Sequence, residues 1–207
     1  DYYWNKDNKE KQKEVFIKQI NIANELNLPI IIHTRDAVMD TLDILKKNNV
    51  NKKGIFHCCP LNIELVKEAL ANPIGQVKLS ELAKDKKHIV IISSDHTRPV
   101  PSHITMPILL EEIRKYNKDV KISILIATGM HRASTHEELV NKYGEKIVKE
   151  ETIVMHDAYI DEDMTFKGIL PSGGELWVNK LVDEADLLIS EGFIEPHFFA
   201  GFSGGRK

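Results

Sequence analysis

The chain has 207 residues, 42% hydrophobic and 29% charged, which suffices for one sizeable core or two small ones. A net charge of −3, with both signs interspersed, offers neither a basic field for nucleic acid nor an acidic tail, so charge argues against a polymeric partner. No apolar run approaches the roughly 20 residues of a membrane helix, no signal-peptide pattern opens the chain, and the two cysteines, Cys58 and Cys59, are adjacent and unsuited to bridging each other, so a reducing cytoplasm is expected.

Short apolar runs alternate with amphipathic stretches, the pattern of strand–helix units stacked into a parallel sheet. A helix is predicted over Lys9 to Leu26, where Val15, Phe16, Ile20, Ala23 and Leu26 recur at helical spacing, followed by a buried strand over Leu28 to His33. Asp36 to Lys47 reads as helix, Gly54 to His57 as a short strand, and Asn62 to Ala71 as a third helix with Asn62 as its N-cap. Asn72-Pro73-Ile74-Gly75 breaks the pattern. Beyond the break come a short helix over Leu79 to Lys84 and the most apolar strand, His88 to Ser94. Ser102 is expected to cap a helix through Ile108, Leu110 and Ile113, and Ile122 to Ala127 to form the next strand. Ser134 followed by Glu137 reads as a capping box opening a helix through Leu139 and Tyr143. Thr152 to Met155 is expected as strand, Glu175 to Ala185 as helix, and Leu187 to Ser190 as the last strand.

Three polar segments follow predicted strands: Ser94-Asp95-His96-Thr97-Arg98-Pro99, Thr128-Gly129-Met130-His131-Arg132, and the run from Glu195-Pro196-His197 to Lys207. Open α/β sheets bind ligands beyond the carboxyl ends of their strands, so Asp95, Arg98, His131 and His197 are expected to converge on one crevice. They bring two imidazoles able to exchange protons near neutral pH, a guanidinium suited to a carboxylate or phosphate, and a carboxylate to orient one imidazole. Ser203-Gly204-Gly205 adds a turn whose amides could cradle an anion. That inventory suits a small anionic substrate. His136 and His156 read as ordinary surface or supporting residues, and Phe198 and Phe199 as packing for their own loop.

These motifs resemble those of the nickel-pincer lactate racemases, over roughly Ala69 to Lys207 and including Leu170-Pro171-Ser172-Gly173-Gly174-Glu175. The resemblance implies racemisation of lactate or a related 2-hydroxyacid by proton-coupled hydride transfer. His131 and His197 would be the paired acid/base residues, while Asp95, His96, Thr97 and Arg98 contact cofactor or substrate. Lys207 would be the covalent attachment point of a nickel-pincer pyridinium mononucleotide. In that family a nickel-ligating histidine lies beyond the lysine and a C-terminal domain closes the cleft; the chain stops at Lys207 without them, so this chain alone is expected to be inactive.

The first half resembles a different family, the TatD-type metal-dependent deoxyribonucleases. The matching segments are Asp1-Tyr2-Tyr3, Pro29-Ile30-Ile31-Ile32-His33-Thr34-Arg35-Asp36-Ala37 and Gly54-Ile55-Phe56-His57-Cys58. By that likeness His33 and His57 stand at metal-ligand positions on strand ends, in an incomplete site lacking the other donors a divalent metal requires. The expected fold is therefore α/β: a parallel-sheet, Rossmann-like racemase N-terminal domain over 71–207, truncated at its C-terminus and preceded by a partial β/α-barrel segment over 1–70. The N-terminus is expected to be truncated as well, and the first segment to remain an appendage rather than extend the racemase-like sheet. Two alternatives stand beside the racemase reading: a metal-dependent hydrolase, and an inert chimera or small-anion binder. No nucleic-acid or membrane partner is expected.

Overall fold

The computed structural model describes residues 1–52, 54–57, 62–73, 77–192, 195–197 and 201–203, with 55, 57, 195–197, 202 and 203 described by backbone alone. It divides into two compact units, Asp1–Gln76 and Val77–Lys207.

The first unit runs α1 (Lys9–Glu25), β1 (Ile30–His33), α2 (Val38–Lys47), β2 (Gly54–His57) and α3 (Ile63–Ala71). Helix α1 buries Ile20 and Ala23 and ends where Asn27 takes a left-handed conformation at φ 56°, which lets the Leu28 amide reach back to the Ala23 carbonyl at 2.8 Å. Strands β1 and β2 pair in parallel, with Ile30 opposite Gly54 and His33 opposite His57. Glycine is required at position 54, since a Cβ there would lie 2.6 Å from the Ile30 carbonyl oxygen. As the sequence predicts, Asn62 caps α3, its side chain accepting from the Leu65 amide at 3.0 Å. Val38, Leu42 and Leu65 pack together with Phe56 as a small core. Among the described residues, β1 and β2 form a sheet of their own, and Ile31 remains 78% exposed on it.

The second unit continues with α4 (Leu79–Ala83), β3 (His88–Ser94), α5 (Ser102–Arg114), β4 (Lys121–Ala127), α6 (His136–Tyr143), α7 (Glu145–Glu150) and β5 (Thr152–Met155). Then come β6 (Met164–Ile169), β7 (Glu175–Asn179), α8 (Lys180–Glu184), β8 (Leu187–Glu191), β9 (Glu195–His197) and β10 (Gly201–Ser203). Strands β5, β4, β3 and β8 lie in that order in a parallel sheet of four. A parallel sheet needs cover on both faces, which explains why β3 and β4 read as continuous rather than alternating apolar runs. Ile89, Ile91, Ile124 and Ile126 are fully buried with Met106 and Ile113 of α5. Each such side chain contributes about 1.5–3 kcal/mol by leaving water. The chain proceeds from β3 outward through β4 to β5, then crosses back to lay β8 on the other flank of β3. Between β3 and β8 the winding direction reverses, and that is where doubly wound sheets open a crevice at the strand carboxyl ends.

Three local expectations need correction, and one helix was not anticipated. Glu175 to Ala185 is not one helix: Glu175–Asn179 is a strand, antiparallel to β6, and only Lys180–Glu184 is helical. The turn at Leu170–Gly174, closed by Gly173 at φ 85°, brings Trp177 to 5.3 Å from Phe166, so cross-strand packing overrides the helical spacing. The capping box is shifted by one residue: Thr135 accepts from the Glu138 amide, and Glu138 accepts from the Thr135 amide at 2.7 Å. Ser102 does not cap α5; it is the first helical residue, and its hydroxyl points to Glu191. Helix α7 was not read from the sequence at all.

Candidate active site

Asp95 is the first residue beyond β3, the central strand at the reversal point. Its Oδ1 accepts the Thr97 amide at 3.0 Å and the Thr97 hydroxyl at 2.6 Å, an Asx-type turn that folds the loop back on its own carboxylate. Oδ2 is left for the loop after β4. There Gly129 at φ 59° completes a turn in which the His131 amide donates to the Thr128 carbonyl at 3.0 Å. This presents His131 Nδ1 to Asp95 Oδ2 at 2.5 Å.

The two partners differ in exposure: Asp95 is 2% exposed, whereas the His131 side chain is 47% exposed. Burial pushes the Asp95 carboxyl up, but the hydrogen bonds from the Thr97 hydroxyl, His131 and the Thr97 amide outweigh it and hold the group below the usual carboxylate range. An ionised Asp95 can only accept, so Nδ1 carries the proton and the lone pair of the neutral ring sits on Nε2. Nε2 makes no hydrogen bond among the described residues. The arrangement is an oriented base facing outward.

Arg98 is exposed on the same loop, and among the described residues its guanidinium makes neither a hydrogen bond nor an ion pair; its backbone alone is engaged, the amide donating to the Asp95 carbonyl at 3.4 Å and the carbonyl accepting from Lys142 Nζ at 3.3 Å. His96 and Arg132 are placed differently. His96 Nδ1 lies 3.0 Å from Ser134 Oγ, and its Nε2 3.7 Å from Glu138. Arg132 forks onto both oxygens of Glu138 at 2.8 and 2.6 Å. The Arg132 bonds and the Thr135 amide bring the Glu138 carboxyl down to about 2, so it stays anionic as the tie between the two loops. Of the four loop residues expected at a cofactor or substrate, Asp95 orients His131, Thr97 holds Asp95, His96 ties the loops, and Arg98 alone extends an uncommitted charge.

The remaining sequence candidates are placed less fully. The His197 backbone ends β9, which pairs antiparallel with β10, and its side chain lies outside the described residues, as do Lys207, Cys58, Cys59, Phe198, Phe199 and the Gly204-Gly205 turn. His57 is described by backbone alone, beside His33 in the β1–β2 register. His33 Nε2 is 3.3 Å from Asp1 Oδ2, which also receives Arg35 Nη2 at 3.0 Å. No group of three or more His, Cys, Asp or Glu side chains suited to a metal occurs among the described residues.

The sequence reading missed a buried polar network beneath the loops. Glu191, the last residue of β8, accepts from Ser93 Oγ at 2.7 Å, Ser102 Oγ at 2.9 and 3.1 Å, and Thr105 Oγ1 at 2.6 Å. Tyr143 donates to Ser93 Oγ at 2.8 Å, and burial pushes its hydroxyl well above the usual tyrosine value. Lys142 Nζ reaches Ser94 Oγ at 3.3 Å; burial lowers its pKa while Glu191 and Asp95 pull the other way. The available signal was a charge in apolar company: Glu191 closing Leu187-Leu188-Ile189, and Lys142 one turn on from Leu139.

Residues 40–207 match the family described as "Lactate racemase N-terminal domain". The chain belongs to that family. It is 61% identical over 182 residues to the lactate racemase of Lactiplantibacillus plantarum, covering 88% of this chain and 43% of that protein. The lactate racemase apoprotein of Thermoanaerobacterium thermosaccharolyticum has a similar structure, with a TM-score of 0.68 at 61% identity over 70% of this chain and 34% of that one. The chain thus spans less than half the length of the racemases it matches. The mixed α/β architecture with its parallel sheet of four is that of the family's N-terminal domain. The family match reaches back to residue 40, into the first unit, upstream of the motifs near Ala69. A further similarity, 48% over 101 residues, links 46% of this chain to 40% of an uncharacterised metal-dependent hydrolase of Bacillus subtilis.

Proposed function

We propose that the second unit carries the N-terminal half of a racemase site for lactate or a related 2-hydroxyacid, acting within a protein of the relatives' length that includes a C-terminal domain. The observation that carries this reading is the buried Asp95 holding the half-exposed His131 by Nδ1, with the uncommitted Arg98 exposed on the Asp95 loop. Arg98 takes the substrate carboxylate as a forked ion pair. His131 Nε2 accepts the hydroxyl proton as the carbon centre becomes planar, and Asp95 stabilises the imidazolium that results. His197 supplies the corresponding proton transfer for the opposite face. The described loop residues fit the family's nickel-pincer pyridinium mononucleotide in their chemistry: they stand at the carboxyl end of the sheet, where such folds hold nucleotides, and the exposed Arg98 can meet an anionic phosphate, while Lys207 would be the attachment residue by the family resemblance. When bound, that group supplies a hydride acceptor.

The adjacent pair Cys58-Cys59, unsuited to bridging each other, fits a reducing, cytoplasmic location. For the first unit, the His33–His57 register and the hydrolase similarity support descent from a TatD-type segment. We assign it no hydrolysis, because among the described residues only Asp1 joins His33 as a donor, its carboxylate already paired with Arg35, short of the set a hydrolytic metal requires. The test is conversion of L-lactate to D-lactate by the cofactor-loaded protein of the relatives' length. His131→Ala should lower kcat by about 10²–10⁴-fold; an unchanged rate removes His131 from the chemistry.

A further inference from the structure

Glu191 has no part in the chemistry just described, yet it is among the most expensively placed groups in the chain. It is 9% exposed, and among the described residues no Lys, Arg or His nitrogen stands within ion-pair distance of it. Its two oxygens are held by hydroxyls alone, those of Ser93, Ser102 and Thr105. Taking a carboxylate out of water costs several kcal/mol, and neutral donors return only part of it, so stability alone does not account for a carboxylate at this position. What the carboxylate supplies is geometry. Ser93 and Ser102 bracket the segment that contains Asp95 and Arg98, and both are fully buried. One side chain therefore grips that segment at both ends. Tyr143 and Lys142, on the helix that follows the His131 loop, hold the same segment at Ser93, Ser94 and the Arg98 carbonyl. Glu191 is itself the residue from which the chain leaves β8 toward His197.

We propose that Glu191 is a positioning residue of the racemisation site, clamping both ends of the Asp95–Arg98 segment so that Asp95 meets His131 and both are referenced to the strand that leads to His197. The proposal rests on the racemase reading for its purpose, but the clamp itself is testable without turnover. In ¹⁵N-labelled protein of this chain, the His131 nitrogens should show one tautomer, with the proton on Nδ1. Glu191→Ala should move both nitrogens toward tautomer-averaged shifts, and Glu191→Gln, which keeps one carbonyl oxygen, should do so less. Amide protection at Val90 to Ile92 reports whether the sheet is intact. If the alanine variant does not fold, the glutamine variant decides. Unchanged His131 nitrogens in a folded variant overturn the proposal. In the racemase of full length, kcat should fall about tenfold to a hundredfold for Glu191→Ala at temperatures where the fold is intact. Adding it to Asp95→Asn should cost no more than Asp95→Asn alone, because the two act through one contact; full additivity also overturns it. Absence of racemisation by the parent protein sinks the functional reading and leaves the nitrogen shifts to decide the clamp.

Discussion

Replacing Asp95 by Asn isolates the charge from the shape. The amide is nearly isosteric with the carboxylate, so its Oδ1 can still accept the Thr97 amide and hydroxyl that close the loop. The other terminus changes from acceptor to donor, and it faces His131 Nδ1 across 2.5 Å. A donor there requires the imidazole to offer its lone pair at Nδ1, which moves the proton to Nε2 and turns the outward base into an outward donor. Loss of a correctly oriented base costs about 10²–10⁴ in kcat, or roughly 2.7–5.5 kcal/mol at 1.36 kcal/mol per tenfold. Stability should respond far less. The charge-assisted hydrogen bond to His131 becomes a neutral one, while the cost of burying the charge is relieved, so the two changes oppose each other. Nitrogen chemical shifts of His131 in this chain read the tautomer directly, and lactate racemisation by a protein of the relatives' length reads the rate. If the proton stays on Nδ1 in Asp95→Asn, or kcat is unaltered, Asp95 does not set the state of His131 and the account of the site is wrong.

The shifted capping box separates two neighbouring residues. Thr135→Ala should cost about 1 kcal/mol by freeing the Glu138 amide, whereas Ser134→Ala should cost less and change the environment of His96; urea midpoints that rank the two the other way restore the Ser134 frame. His88 is buried against Ser123 Oγ at 2.9 Å, and burial, then Lys121, lowers its pKa in the folded state. The unfolded chain therefore takes up this proton first. The His88 contribution is complete above about pH 6.5 and is lost as pH falls toward the folded value, at up to about 1.4 kcal/mol per pH unit. His88→Gln should flatten stability between pH 7.5 and 5.5, and an unchanged slope assigns the dependence elsewhere. At Gly54, alanine drives a Cβ into the Ile30 carbonyl and should destabilise the β1–β2 pair by about 1–3 kcal/mol. Hydrogen exchange at Ile31 and Ile32 should quicken while Val90 to Ile92 hold; acceleration in both places would mean that the two units unfold as one.

The elements legible in the sequence were those whose environment is uniform along their length. Strand β3 is covered on both faces, so His88 to Ser94 reads as one apolar run, and α3 announces its start through Asn62. Ambiguity entered where a segment is only half covered. Leu176, Val178, Leu181 and Val182 satisfy a helical stripe about as well as a strand followed by a turn of helix, and the choice is made by β6, lying across a turn from it. The period alone could not supply that partner. The capping box failed more narrowly: Ser134-x-x-Glu137 and Thr135-x-x-Glu138 are overlapping frames, and the second wins because Glu138 also collects Arg132.

Within the site, the groups that face outward could be found and those that hold them could not, for a physical reason. A side chain that faces outward at the sheet's end sits on a loop after a strand, where topology alone nominates it, as it did for His131 and Arg98. A side chain that holds the loop must be buried, and its partners are fixed by the fold: Glu191 finds its hydroxyls 86 to 98 residues earlier in the chain. No local pattern encodes such a distance. What the sequence does carry is the violation itself, a carboxylate closing an apolar strand and an ammonium beside Tyr143 on the inner face of a helix. Because each buried charge must be satisfied or expelled, two violations in one domain imply a shared network before any coordinates exist. Glu191 and Lys142 are the two violations in this domain, and the network they share is the one that holds the Asp95 loop.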